Sequence, residues 1–491
     1  MSHDTQLTSP TTSAEEQAKA LGARNRLVIG LLLGSAFVVI LNETIMGVAL
    51  PQLIDDLGIK PSTAQWLTAA FMLTMAVVIP ITGYLIQRFH SRPLFITAMS
   101  LFVAGTAIAA IAPDFTILLL GRIVQASGTA IIFPLLMTTV MTLVPPATRG
   151  RMMGNISIVM SVAPAIGPTI SGLILSVFSW RFMFIFVLPI AIAALVIGFV
   201  FMKNISEPTA GKVDILSIVL SALGFGGLVY GLSVAGTAQN ALELALPIAV
   251  GVVSLALFTW RQLTLQKQNR ALLDLRTLKS ANFTLSIVMF AISMMAMFGV
   301  IVLLPIYMID ALGFPVVNVG LLLLPGGLVM GLLGPIVGRF YDRVGPRIPL
   351  ITGALLVSAD LWAMAMFLTV DSTWVMVLVA HILLSIGLAL LFTPLFTASL
   401  ASLKPQFYSH GSALLSTIQQ LAGAAGTALF VTVYSSQLIA LQADGVSEAG
   451  ATAAGVHTAL MFGAIISLAG IVVALFIRKP ANEQGMAPMG H

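Results

Sequence analysis

Gly83-Tyr84-Leu85-Ile86-Gln87-Arg88-Phe89-His90-Ser91-Arg92 recurs in the second half of the chain as Gly338-Arg339-Phe340-Tyr341-Asp342-Arg343-Val344-Gly345-Pro346-Arg347. Each copy follows the second of six long apolar runs and precedes the third. A helix crosses the hydrocarbon core of a bilayer with about 20 apolar residues. Fourteen runs of that kind can be counted, each bounded by Gly, Pro, Asn or charged residues. Two sets of six with two further helices between them is the pattern of parallel repeats related by an axis along the membrane normal. The expected fold is an all-α membrane protein with two six-helix pseudo-symmetric lobes plus two inserted helices.

The boundaries follow from the runs. Residues 1–26 read as a polar, Ser/Thr-rich, disordered cytoplasmic tail. The N-terminal lobe spans 27–202, and the two inserted helices with a basic cytoplasmic linker span 203–282. The C-terminal lobe spans 283–478, and 479–491 form a second cytoplasmic tail. The first run is too long for a signal-peptide core and is followed by no small-residue cleavage site, so it is expected to stay as a spanning helix.

Composition agrees. With 58% hydrophobic and 8% charged residues and a mean hydropathy of +1.04, most of the chain cannot be made soluble by folding. Cysteine is absent, which removes disulfide, thiolate and Cys-zinc chemistry. A pI near 9.6 would suit nucleic acid only if the basic residues gathered on one soluble face. Instead every Lys and Arg except Lys60, Arg181 and Arg122 falls on one side of the membrane if the N-terminus is cytoplasmic. The positive-inside rule therefore places both termini in the cytoplasm, in a cell (inner, cytoplasmic) membrane, and gives these charges a topological role. No GxxxxGK[ST] loop is present, so ATP is not the expected energy source. His3, His90, His381, His410, His457 and His491 form no cluster with nucleophile or metal spacing, which argues against a membrane-embedded enzyme. A redox-driven pump subunit should carry several intramembrane lysines, and the runs hold none. No metal or cofactor is expected.

Two opposite charges lie inside apolar runs: Glu43 between Leu27 and Pro51, and Arg122 between Phe115 and Val144. An ionised residue at helix centre costs about 2.5 to 3.5 kcal/mol on insertion scales, so such residues are functional candidates. Counting at 1.5 Å per residue from Pro51 and Pro113 puts both roughly 12 to 14 Å from the outer boundary. They are expected to meet at one depth. Desolvation raises a carboxylate's pKa and a nearby guanidinium lowers it, so a rearrangement that alters either changes proton occupancy. The alternative is a permanent ion pair that fixes the first helix against the fourth. A second constellation, Asp360 and His381, also sits at matched depth and supplies a carboxylate and an imidazole that titrates near neutrality. Its alternatives are a lone hydrogen-bonded histidine and an aspartate that anchors packing. Met294, Met297 and Phe298 are candidates to line a permissive apolar cavity, against the alternative that Met merely fills space. With Glu43, Asn42 and Gln125 they make up the expected substrate cavity.

Five segments carry a resemblance to a known family. Leu41-Asn42-Glu43-Thr44-Ile45-Met46-Gly47-Val48-Ala49-Leu50-Pro51 is similar to LDxTIVNVALP. Arg122-Ile123-Val124-Gln125-Ala126-Ser127-Gly128 is close to RxxQGxG. Gly154 with Ala163-Pro164-Ala165-Ile166-Gly167-Pro168-Thr169-Ile170-Ser171-Gly172 resembles the antiporter motif with its GPxxGG core. Trp180-Arg181-Phe182-Met183-Phe184 with Pro189 resembles WRxxFxxxxP, and Gly411-Ser412-Ala413 with Gln419, Gln420 and Gly423 resembles a penultimate-helix signature. In this order they resemble the fourteen-helix drug:proton antiporter branch of the major facilitator superfamily over essentially the whole chain. The family's aspartate is Asn42 here and the acid stands at Glu43, rotated about 100° around the helix. Gln87 and His90 replace the first loop motif's Asp and Gly, whereas Gly338, Asp342, Arg343, Gly345 and Arg347 keep the second copy, so a charged latch is more secure in the second lobe.

The resemblance implies a proton-coupled exporter of amphipathic drugs, cationic or weakly basic, working by alternating access. Its partners would be small-molecule drugs, protons and the lipid bilayer, with no nucleic acid, and it would act as a monomer. Glu43 and Arg122 would carry proton coupling, and Asp360 and His381, which lie in none of these motifs, are added as further candidates from their own chemistry. Gly154, Ala163, Pro164, Gly167, Pro168, Ser171 and Gly172, with the second loop motif, would carry the conformational change. Export of one endogenous metabolite or lipid-like molecule stays open as the alternative, because the same scaffold supports it.

Overall fold

Small residues decide how these helices meet. Along one seam Gly150 and Gly154 lie so close to Gly338 and Gly334 that a β-carbon on any of the four would collide with the opposing backbone or a neighbouring side chain. Lipid tails are as apolar as leucine, so helices in a bilayer associate through such close packing rather than through hydrophobic contrast. The computed structural model describes residues 10–205, 208, 213–235 and 240–480, and among them the secondary structure is helical.

The helices are α1 (Pro10–Leu57), α2 (Pro61–Arg88), α3 (Ser91–Ala110), α4 (Phe115–Leu143), α5 (Arg149–Leu175), α6 (Arg181–Phe201) and α7 (Ile215–Ser233). They continue as α8 (Ala241–Leu265), α9 (Ala281–Ile306), α10 (Val316–Val344), α11 (Arg347–Phe367), α12 (Trp374–Ala401), α13 (Tyr408–Ala443) and α14 (Glu448–Phe476). All 14 contain a stretch long and apolar enough to span a membrane. Several start where a polar side chain satisfies an orphan amide of the first turn. Asp114 accepts from the Ile117 amide, Asn240 from Glu243, and Ser447 from Gly450.

One boundary differs from expectation. The tail was expected to be disordered to residue 26, yet α1 runs back to Pro10. The segment from Ala14 to Leu21 is rich in Ala, Glu, Gln, Lys and Leu, which favour helix and extend the spanning segment without a break. Residues 1–9 and 481–491 lie outside the described residues.

The packing repeats. In α1–α6 the contacts are α1 with α5, α2 with α4, and α3 with α4 and α6; in α9–α14 they are α9 with α13, α10 with α12, and α11 with α12 and α14. The two sets meet through α5 on α10 and through α2 on α13, the same two positions exchanged. The inserted pair α7–α8 packs on α2 and α13, beside the second seam. Arg261 holds it together with a bidentate pair to Asp214 at 2.7 Å for each contact. These bonds keep the Asp214 carboxyl well below the usual carboxylate range. Gln262 extends the contact, donating to Ser217 Oγ at 2.7 Å and accepting from the Leu272 amide.

Candidate functional site

Between the two six-helix sets lies a cavity of about 320 Å³, lined by the first, second, fourth and fifth helix of each set. Its walls are mainly thioether and ring: Met72, Met75, Met160, Met294, Met297 and Met330, with Phe133, Phe298, Phe392 and Phe396. Among the described residues Glu43 is the one charged side chain on that lining. Toward the Lys- and Arg-rich end the two sets touch below it. Phe133 meets Phe396 edge-on at 6.0 Å, and the Ser157 and Thr393 hydroxyls share a hydrogen bond of 2.8 Å.

Farther along the same direction Asp342 closes the α5–α10 seam. Its carboxylate accepts from the backbone amides of Gly150 and Arg151 at 2.8 and 2.9 Å, at the N-terminus of α5 where the helix dipole favours negative charge. At the pseudo-equivalent position of α2, Gln87 donates instead to the Gln406 carbonyl at 3.1 Å. Arg343 and Arg347 are exposed.

Glu43 and Arg122 were expected to form a pair, and among the described residues no ion pair joins them. Arg122 is buried, and its Nη1 donates to Gln125 Oε1 at 2.6 Å and to Asn42 Oδ1 at 3.3 Å. Gln125 passes the chain on to Thr106 Oγ1 at 2.7 Å, and the guanidinium lies 4.1 Å from the Phe71 ring centroid. Asn42 and Gln125 are thus committed to Arg122 and do not line the cavity, which corrects their expected place. The cause is rotation: successive residues on α1 differ by about 100°, so Asn42 faces Arg122 while Glu43 faces the cavity. Met294, Met297 and Phe298 do line it.

Asp360 and His381 also stay apart. The Nε2 of His381 donates to the Leu323 carbonyl of α10 at 3.1 Å, and the ring lies against Gly326. Asp360 is buried, shares helical spacing with Gly353 and Val357, and these two face Gly387 of α12. Neither residue lines the cavity, so matched depth did not bring them together.

The small residues of α5 serve three surroundings rather than one sliding face. Gly154 packs on α10, whereas Gly167 abuts Thr44 of α1 and Ser171 donates to the Ile45 carbonyl at 2.9 Å. Pro164 lines the cavity and Ala163 is buried, while Pro168 is exposed and Gly172 has open space beside it. Sequence reasoning missed Asp56, which accepts from Trp180 Nε1 at 2.8 Å and Arg181 Nη1 at 3.1 Å and so ties the end of α1 to α6. Those bonds, Trp180 first, lower its pKa. The available signal was the acidic pair Asp55-Asp56 beyond Pro51 together with the one arginine, Arg181, that begins an outer-side helix.

The Major Facilitator Superfamily profile matches residues 32–427. Lincomycin resistance protein LmrB of Listeria monocytogenes is 40% identical over 461 residues, covering 92% of this chain and 96% of that one. The uncharacterized MFS-type transporter YcnB of Bacillus subtilis is 39% identical over 466 residues, covering 94% and 97%. Among solved structures, the human organic anion transporter MFSD10 superposes with a TM-score of 0.67 at 15% identity, covering 92% of this chain and 99% of that one.

Proposed function

The chain belongs to the Major Facilitator Superfamily, and from that premise we propose that it is a drug exporter that exchanges protons for amphipathic molecules bearing a basic nitrogen. The observation that carries this reading is Glu43, the one charged group among the described lining of a largely apolar cavity in which Met and Phe side chains are prominent. A carboxylate in such surroundings is costly unless it is protonated or faces a cation. A proton and a cationic drug therefore compete for one site. When the site faces the outside, protonation displaces the drug; when it faces the cytoplasm, drug displaces the proton. A membrane potential supplies about 2.3 kcal/mol per charge per 100 mV, enough to drive the exchange.

Met and Phe walls suit varied substrates, because flexible thioethers repack around different shapes. The resemblance to LmrB supports lincomycin as a first substrate to test. Arg122 holds α1 and α4 in register through Asn42 and Gln125, so that Glu43 keeps its orientation. The two lobes, 27–202 and 283–478, rock about the α5–α10 and α2–α13 seams, with the Asp342 latch made only when the cytoplasmic end is closed. The protein sits in the inner membrane with both termini cytoplasmic and works as a monomer.

The test is drug efflux from proteoliposomes with and without an imposed pH gradient. Wild type should export only with the gradient, and Glu43→Gln should reach the membrane yet lose gradient-driven export. Proton-driven efflux at wild-type rate by Glu43→Gln would remove this residue from the coupling.

A further inference from the structure

On the C-terminal lobe's side of the cavity, α13 presents Ser416, Gln419 and Gln420, a spacing that places all three on one helical face. Their hydrogen-bonding capacity is left unused. Ser416 is 3% exposed, and its hydroxyl has no partner among the described residues. The neighbouring Thr417, by contrast, is spent on the Ala413 carbonyl at 2.8 Å. Gln419 makes no hydrogen bond with the described residues, and Gln420 reaches only the Met75 sulfur at 3.9 Å. On the other wall Thr44 is satisfied by the Leu41 carbonyl, Thr129 by the Gln125 carbonyl and Ser157 by Thr393, and of its hydroxyls Ser161 alone makes no side-chain hydrogen bond with the described residues.

A buried hydroxyl that forgoes a bond to its own helix loses stability, and one free amide and one held only by a thioether add to that cost. We propose that this row is a hydrogen-bonding subsite for hydroxyl and amide groups of the substrate. The inference rests on the export reading above and narrows it: the preferred substrate joins one basic nitrogen, held at Glu43 of the first lobe, to a hydroxyl- or amide-rich portion held at α13 of the second. Such a molecule spans both lobes and contributes to drawing them together. A site built to hydrogen-bond its ligand discriminates strongly against molecules that lack those groups, because its own polar atoms are then left unpaired.

The experiment compares two probes on the full chain in lipid nanodiscs: lincomycin, an amine carrying several hydroxyls and an amide, and tetraphenylphosphonium, a cation with no hydrogen-bonding group. Gln419→Met and Gln420→Met keep side-chain length and remove the amide; Ser416→Ala removes a single oxygen and serves where a Met variant folds poorly. Each Met variant is expected to weaken lincomycin binding about 5- to 10-fold, and Ser416→Ala about 3-fold. The ratio of the two dissociation constants should move by at least about 3-fold toward tetraphenylphosphonium, with the melting temperature unmoved. Unchanged lincomycin affinity in all three variants, or equal losses for both probes, would overturn the subsite while leaving the export reading intact. Binding of neither probe by the unaltered chain would overturn the export reading and the subsite with it.

Discussion

Asp342→Asn tests the proposed latch between α5 and α10. The carboxylate accepts from two amides, Gly150 at 2.8 Å and Arg151 at 2.9 Å, and both bonds exist only while α10 and α5 are together at that end. Hydrogen bonds to a charged acceptor contribute about 1.5 to 3 kcal/mol each, against about 1 kcal/mol for a neutral one. Negative charge at a helix N-terminus adds about 0.3 to 1 kcal/mol. Asparagine keeps one carbonyl acceptor and loses the second bond and the charge, so the closed form should lose about 2 kcal/mol relative to the open one. At 1.4 kcal/mol per factor of ten, the open-to-closed ratio rises about 30-fold. The chain has no cysteine, so Ala147→Cys and Ile348→Cys, both exposed at this end, provide a unique pair for spin labels. Double electron–electron resonance should show a longer-distance population growing in Asp342→Asn, with gradient-driven efflux reduced. A distance distribution unchanged within a few per cent would refute the latch, because no differential contact would then be lost between the two states.

Arg122→Lys keeps the charge but loses the planar guanidinium that lies on Phe71 and positions Nη1 between Asn42 and Gln125, so efflux should fall at least about tenfold; normal efflux would show that a point charge suffices. Gly154→Ala puts a β-carbon into the Gly334 carbonyl and should abolish transport and lower the melting temperature, whereas Gly172→Ala has open space and should change neither. Equal tolerance of both substitutions would contradict the close α5–α10 seam. For Asp214→Asn the sign follows from a carboxyl whose folded pKa lies below its unfolded value near 4. Its stabilisation, about 1 kcal/mol for a partly exposed pair, is present at neutral pH and is lost as pH falls through the folded value. The melting-temperature gap between wild type and variant should hold from about pH 7 to 5 and shrink below about pH 4. A gap that widens on acidification would rule out the ion pair as its source.

What could be read from the chain and what could not divide along one physical line. Position along a helix is written in the sequence, because span length, capping residues such as Asp114 and Asn240, and the recurrence of the Gly83 and Gly338 segments are all features of order in the chain. Rotation about the helix axis is not written there for an isolated residue. Glu43 and Arg122, matched by depth, do lie within electrostatic reach of each other, although Arg122 spends its hydrogen bonds on Asn42 and Gln125; Asp360 and His381, matched in the same way, are held in separate surroundings. Met294, Met297 and Phe298 fared differently because their spacing fixes their mutual rotation, so that placing one on the cavity places the others. Ser416, Gln419 and Gln420 have the same spacing, yet Gln419 and Gln420 stand out in the sequence only as part of a family signature, and Ser416, carrying no charge, does not stand out at all. In a bilayer an uncharged amide is also costly to bury unpaired. A periodic row of neutral polar residues on a spanning helix therefore carries more directional information than a lone charge, and it is the pattern by which the second wall of this cavity can be found from sequence.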